Sequence, residues 1–487
     1  MGSVHRMART RWQEHLLPLD RLQEGTVASQ EGLTSRLASF YSQLDYEQLP
    51  PEVVDRAKYF CLDYLGVAIR GSITPSAVTM VDALGRLNSP AVAPVAGTSH
   101  RLSPEYAALA NGTAAHSLEM DDVNNEASIH PGVPTFPAAF ACAHMGRVSG
   151  TSFLAAMVAG YDFTIRLGYA LDPKSHYARG FHPTGTCGTF GAALVSSRLL
   201  GLDARATASA IGIAGSQAAG SLEFLAGGAW TKRMHPGWAA HSGIIAATLA
   251  GQGFVGPDTI LEGVHGTLSG YSDDAEPSRL TESLGERFYI TRAAIKPHAC
   301  CRYNQGPIDC MLAIRSEHGL QHEGIDHVRV GMLSAGFPIV SDPPEYKEKP
   351  RSVVDAQFSV PYAIAVSAVC GRASLEEYTD QVIARDDVRG LMARVESVHD
   401  PALDAVYPRQ WPAWVEVDTT DGRTLRSDVE YPLGEPENPL SWGQLEDKFR
   451  LITSPVISEG RQAEIIAAVH SLDQLDDVRE LDWLTGD

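Results

Sequence analysis

The sequence predicts a mainly α-helical protein, and three observations carry that expectation. Apolar residues recur at intervals of three and four through much of the first 250 positions. Short β-branched runs follow between about Leu280 and Val429, the mark of an α+β region set within the helical pattern. Helical periodicity then returns in 445–451 and 461–472, so both ends of the chain belong to the helical part. With 487 residues the chain exceeds the size at which one core usually stops growing, and two domains are expected. The divisions fall at 1–31, a mobile extension of mixed charge; 32–285, helical; 286–430, α+β; and 431–487, helices that rejoin the first domain.

Each element has a local reason. After Pro50 and Pro51, the residues Val53, Val54, Ala57, Phe60, Cys61, Tyr64, Leu65 and Ala68 line one helix face, and Gly71 ends it. Ser103 followed by Pro104 is a helix start, with Ala107, Ala110, Ala114 and Leu118 continuing inward. Ala- and Gly-rich helices are expected at 151–169, 189–200, 204–218 and 239–250, where small side chains let helices approach closely. Farther on, 327–331 and 414–417 read as strands. Thr420, Asp421 and Gly422 read as a hairpin turn before 424–429.

Composition excludes several classes of function. A formal charge of −20 with no basic run argues against nucleic acid and anionic membranes as partners. It leaves room for a small anion, because screening confines exposed charge to roughly 8 Å and a few buried cations can dominate a pocket. The seven cysteines stand unpaired in sequence, which suits a reducing, cytoplasmic setting. No apolar run is long enough for a signal peptide or a membrane span.

Four segments concentrate chemistry. The first, HSLEMDDVNNEASIHPG from His116 to Gly132, sets Glu119, Asp121 and Asp122 beside two histidines. A carboxylate on an imidazole fixes its tautomer, as a general base requires, although a polar helix end with solvated caps would read the same. The second, GFHPTGTCGT, places His182 in a Gly/Thr loop entering a helix, where backbone N–H groups favour an anion; its spacing is not that of a nucleotide loop. The third, WTKRMHPG, sets Lys232 and Arg233 among apolar neighbours, either for an anionic ligand or for an internal salt bridge. The fourth, IKPHACCRY, offers Lys296 and Arg302 as a carboxylate clamp and Tyr303 as a donor. Adjacent Cys300 and Cys301 lack the spacing of a metal or cluster site and read as packing, so no metal is expected.

Taken with DAQFSVPYAIA at 355–365, these blocks resemble, in order, the MmgE/PrpD family, which includes 2-methylcitrate dehydratase, cis-aconitate decarboxylase and iminodisuccinate epimerase. The resemblance covers roughly 33–472. It implies a large helical domain built from both chain ends, an inserted smaller α+β lid domain, a homodimer, and a site at the domain junction that uses no cofactor. It also implies that Asp121, Asp122, His130, His182, Lys232, and Lys296 with Cys301 or Arg302, line that site. The family's usual Asp at the position of Glu119, and Thr-Trp where this chain has Val123 and Asn124, mark departures inside the pocket.

The expected chemistry is proton transfer at the carbon α to a carboxylate of a small di- or tricarboxylate. Lys232, Lys296 and Arg302, aided by Arg233 and Tyr303, hold the acid groups, His130 or His182 moves the proton, and Asp121 or Asp122 orients the imidazole. Dehydration like that of 2-methylcitrate stands first, with decarboxylation and epimerisation as alternatives. A carboxylate-binding protein without catalysis is the rival from another class.

Overall fold

The computed structural model describes residues 32–87, 90–225 and 229–480; the extension expected at 1–31 lies outside them. Helix takes up 58% of the described residues and strand 9%, which makes the fold mainly α. None of the described helices is long and apolar enough to cross a membrane.

The first half is built from α1 (Leu33–Ser42), α2 (Pro51–Gly71), α3 (Pro75–Leu84), a two-residue pair β1 (Ala93–Pro94) and β2 (Arg101–Leu102), and α4 (Pro104–Ala115). It continues through α5 (Gly132–Ala143), α6 (Gly150–Ala170), α7 (Pro173–Ala178), α8 (Pro183–Leu199), α9 (Ala204–Gly215) and α10 (Thr231–Gly251). Proline opens α2, α3, α4, α7 and α8, where its missing N–H costs nothing. Helix α2 is buried continuously from Tyr59 to Ile69, polar Asp63 included, so it runs through the core rather than over it. It packs on α4, α6 and the C-terminal helices Trp442–Thr453 and Glu459–His470.

Small residues set the spacing around the site. A Cβ on Gly112 of α4 would stand 2.6 Å from the Cα of Gly237 in α10, so the two backbones are in contact and no larger residue fits. That contact brings His116, which caps the C-terminal end of α4, close to the first turns of α10.

Two helices begin earlier than the sequence pattern suggests. Helix α8 starts at Pro183 rather than 189, and α10 at Thr231 rather than 239. The Gly/Thr segment is helical because Pro183 sets its first turn and the Thr189 hydroxyl returns to the Gly185 carbonyl at 2.9 Å. Helix α10 absorbs Pro236 without ending. The expected anion loop at His182 is therefore a helix cap, and the Lys232-Arg233 pair lies on a helix.

Beyond α11 (Thr267–Tyr271) comes α12 (Arg302–His318), then β3 (Ile325–Met332), β4 (Val395–His399), β5 (Ala413–Thr419) and β6 (Thr424–Val429). The sheet order is β4-β3-β5-β6, antiparallel except for β3 with β4. The hairpin turn falls where expected, with Gly422 at φ 85°. β4 escaped the sequence reading because it is a half-exposed edge strand with polar Glu396 and Ser397 inside it. Helix α12 packs on β5 and β6 and on the helix Val360–Cys370.

Candidate active site

The loop between α4 and α5 holds the acids, and its geometry separates two residues that are neighbours in sequence. Asp121 Oδ2 lies 2.7 Å from His116 Nδ1 and 2.9 Å from His130 Nδ1. His130 Nδ1 also lies 2.6 Å from the Asp122 carbonyl oxygen. Both Nδ1 atoms therefore face acceptors and carry the hydrogens, which leaves each Nε2 with a free lone pair. Burial opposes ionisation of Asp121, but His130 and His116 outweigh it and hold the carboxyl well below the usual range.

Asp122 does something else. Its carboxyl oxygens accept the Gly132 N–H at 3.2 Å, and burial, reinforced by Asp121 and Asp63, pushes it well above the usual carboxylate range. Burial and its acidic neighbours favour its neutral form, and its carboxyl pins the start of α5. A Cβ on Gly132 would come within 2.6 Å of Asp122 Oδ1, which explains the glycine after His130-Pro131.

The imidazoles form a row. The His116 ring is 4.9 Å from His130 and 5.9 Å from His182, and His182 is 5.2 Å from His235. His182 Nδ1 and His235 Nδ1 are 3.0 Å apart, so one ring donates and the other accepts, and the two take opposite tautomers. Burial, with neighbouring imidazoles and Lys232 adding to it, pushes His182 well below the ordinary histidine range. His235 is pushed down to about 4, by burial first and then by His116 and Lys232.

That shift has a consequence for stability. Since the folded value of His235 lies below the unfolded value near 6.5, the unfolded chain takes up protons first as pH falls. Stability contributed by the neutral ring is present above about pH 6.5 and is lost as pH falls toward about 4. His235→Asn, which keeps a hydrogen-bonding partner for His182, should lose less melting temperature than wild type between about pH 7 and about pH 5. Parallel thermal-unfolding curves for the two proteins would contradict the assignment.

Opposite the imidazoles stand the lysines. Glu119 joins both: Oε1 pairs with Lys232 Nζ, and Oε2 is 3.5 Å from Lys296 Nζ. Burial disfavours its charge, but Lys232 and Lys296 overcome that and hold Glu119 far below the ordinary range. Burial likewise works against Lys296, yet Glu119 and Asp121 raise it above the ordinary lysine value. Glu119 has φ +58°, an uncommon backbone region for a residue with a side chain. The sequence had left open whether Lys232 serves a ligand or an internal bridge; the bridge, to Glu119, is present.

Three expected contacts are placed elsewhere. Arg302 is bonded to Glu435 and, at 3.2 Å, to Asn125 Oδ1, so its charge is neutralised within the protein rather than offered as a clamp. Tyr303 meets Tyr407, oxygen to oxygen at 3.3 Å, and packs on Trp411 beside Arg302 in a separate small cavity. Arg233 donates to Ser76 Oγ at 3.2 Å. Cys301 is buried in the field of Lys296 and Glu119, and burial pushes its thiol upward, while Cys300 is pushed up to about 12. Both thiols are buried in neutral form, Cys301 included, which the family resemblance had placed in the site lining.

Several positioning residues were not legible. Gln357 donates to the carbonyls of Leu118 at 3.3 Å and Ala299 at 3.0 Å and accepts the Cys301 N–H at 2.9 Å, tying the acidic loop to the Lys296 segment. Lys448, buried in helix Trp442–Thr453, bonds Asp63 of α2 and the Met120 carbonyl at 2.9 Å. Leu118 and Met120 flank Glu119, so both sides of that turn are held. His116, Asp121 and His130 also offer ligand atoms within 4.8 Å of one another, as a metal site would; here those atoms serve the hydrogen bonds just described.

Residues 35–280 match the MmgE/PrpD N-terminal domain and 298–474 the MmgE/PrpD C-terminal domain. The chain is similar to the cis-aconitate decarboxylase of Aspergillus terreus, 29% identical over 93% of this chain and 96% of that one. It is similar to the cis-aconitate decarboxylase of Homo sapiens at 27% identity over 93% and 94%, and to the cis-aconitate decarboxylase-like protein oryM of Aspergillus oryzae at 28% over 94% and 98%. Fold and relatives together define an enzyme of the lyase class. The chain belongs to the MmgE/PrpD family.

Proposed function

We propose that this enzyme is a carboxy-lyase for a small unsaturated tricarboxylate of the cis-aconitate class. The observation that carries the reading is the pairing of a fixed-tautomer imidazole, His130 on Asp121, with two lysines gathered on a single carboxylate. The lysines hold carboxylates and offset the negative charge that builds beside them. A C–C bond to one carboxylate of a β,γ-unsaturated acid breaks, carbon dioxide leaves, and the electron pair shifts the double bond. The carbanion so formed lies α to a retained carboxylate, and His130 Nε2, which takes up a proton from solvent before the substrate reacts, gives that proton to the carbon. Asp121 orients the ring and balances the charge it carries while protonated.

Full-length relatives named as decarboxylases support this order of readings over dehydration, which the sequence blocks alone had put first. Dehydration of a β-hydroxy acid would use the same groups, with one of them taking the proton on the carbon α to a carboxylate and a second proton going to the departing hydroxyl. Incubation with cis-aconitate, 2-methylcitrate and citrate separates the two. Carbon dioxide released from cis-aconitate is the expected result; an absorbing alkene formed from 2-methylcitrate without carbon dioxide would replace decarboxylation by dehydration.

A further inference from the structure

We infer that Glu119 is a tethered competitor for the substrate's carboxylate seat, and that this internal anion makes the site select polycarboxylates over monocarboxylates. The inference rests on the reading of the site as a carboxylate pocket. Glu119 occupies the place an incoming carboxylate needs, with one oxygen on Lys232 and the other 3.5 Å from Lys296. Its side chain is 14% exposed while that of Lys296 is 4% exposed, so Glu119 is the more accessible partner of the pair.

The two ammonium charges are already matched by two carboxylates before a ligand arrives. Lys232 and Lys296 supply the cations; Glu119 and Asp121 supply the anions. Arg302 is committed to Glu435, Asp122 is held neutral, and burial keeps His116, His182 and His235 on the neutral side. A ligand carboxylate must therefore displace Glu119 to reach these two ammonium groups.

The backbone around Glu119 is built so that the side chain moves and the turn does not. Gln357 holds the Leu118 carbonyl on one side and Lys448 holds the Met120 carbonyl on the other. The residue itself sits at φ +58°, a conformation that persists where its surroundings dictate it. A carboxylate tethered this way competes at an effective concentration in the millimolar range or above. A monocarboxylate brings a single ion pair against that competitor, whereas a polycarboxylate brings contacts elsewhere in the pocket that the tether cannot match.

The test is calorimetric titration with tricarballylate and with butyrate, neither of which has a reacting double bond or a leaving group. Wild type should bind tricarballylate and give no resolvable heat with butyrate. Glu119→Gln, and Glu119→Ala as a second way of removing the charge, should tighten tricarballylate about tenfold or more and bring butyrate binding into range, since a contact-distance charge is removed. Wild type that binds tricarballylate while both folded variants bind it equally or more weakly would overturn the competitor role and leave the carboxylate pocket standing. If neither wild type nor variants bind tricarballylate, the carboxylate pocket fails, and the seat with it.

Discussion

His130→Asn should lower kcat by about three orders of magnitude, within the span that a positioned acid or base contributes and equivalent to about 4 kcal/mol of barrier. Asparagine is the informative choice because its amide N–H can replace Nδ1–H toward Asp121 Oδ2 and the Asp122 carbonyl. It preserves the loop and removes only Nε2. KM should change little, since Lys232 and Lys296 are untouched and ground-state binding is kept. Far-UV circular dichroism controls for folding, and steady-state kinetics gives the split. A variant with wild-type kcat would remove His130 from the proton step.

The second large effect distinguishes adjacent acids. Asp121→Asn should cost about a hundredfold or more in kcat, because one carboxylate oxygen now accepts from two Nδ1–H groups. An amide oxygen can still accept both bonds but carries no charge to balance a protonated imidazole, and its N–H₂ would take the buried place of Oδ1, which has no hydrogen-bond partner. Asp122→Asn should stay within about threefold of wild type, because Asp122 is already neutral and an amide oxygen can still accept the Gly132 N–H. Equal losses in the two variants would mean that the acids act as a unit and that the division drawn here is wrong.

Much of the helical pattern was legible because it is local. The face of α2, the proline-led start of α4 and the Gly422 turn each follow from a few neighbouring residues. The starts of α8 and α10 were not, since Gly/Thr and Pro content argues locally against helix while close packing decides the outcome, Gly188 against Pro134 for α8 and Gly237 against Gly112 for α10. The same division holds in the site. His130, Lys232 and Lys296 stood out by residue type, and the structure gathers them with Glu119 and Asp121. Arg302 looked equally suitable because its partner, Glu435, is 133 positions away. Lys448 and Gln357 reach the acidic loop from 328 and 239 positions away, so no spacing in the sequence points to them. Asp121 and Asp122 are adjacent and identical in kind; only the fold makes one an ionised partner of two imidazoles and the other a buried neutral acid.

Turnover in heavy water tests the central claim most directly. The account predicts one deuterium in each product molecule, at the carbon α to a retained carboxylate, with incorporation lost along with turnover in His130→Asn. Product formed at the wild-type rate with no solvent deuterium at that carbon would contradict it, because the site would then be making and breaking bonds without the proton that His130 is placed to deliver.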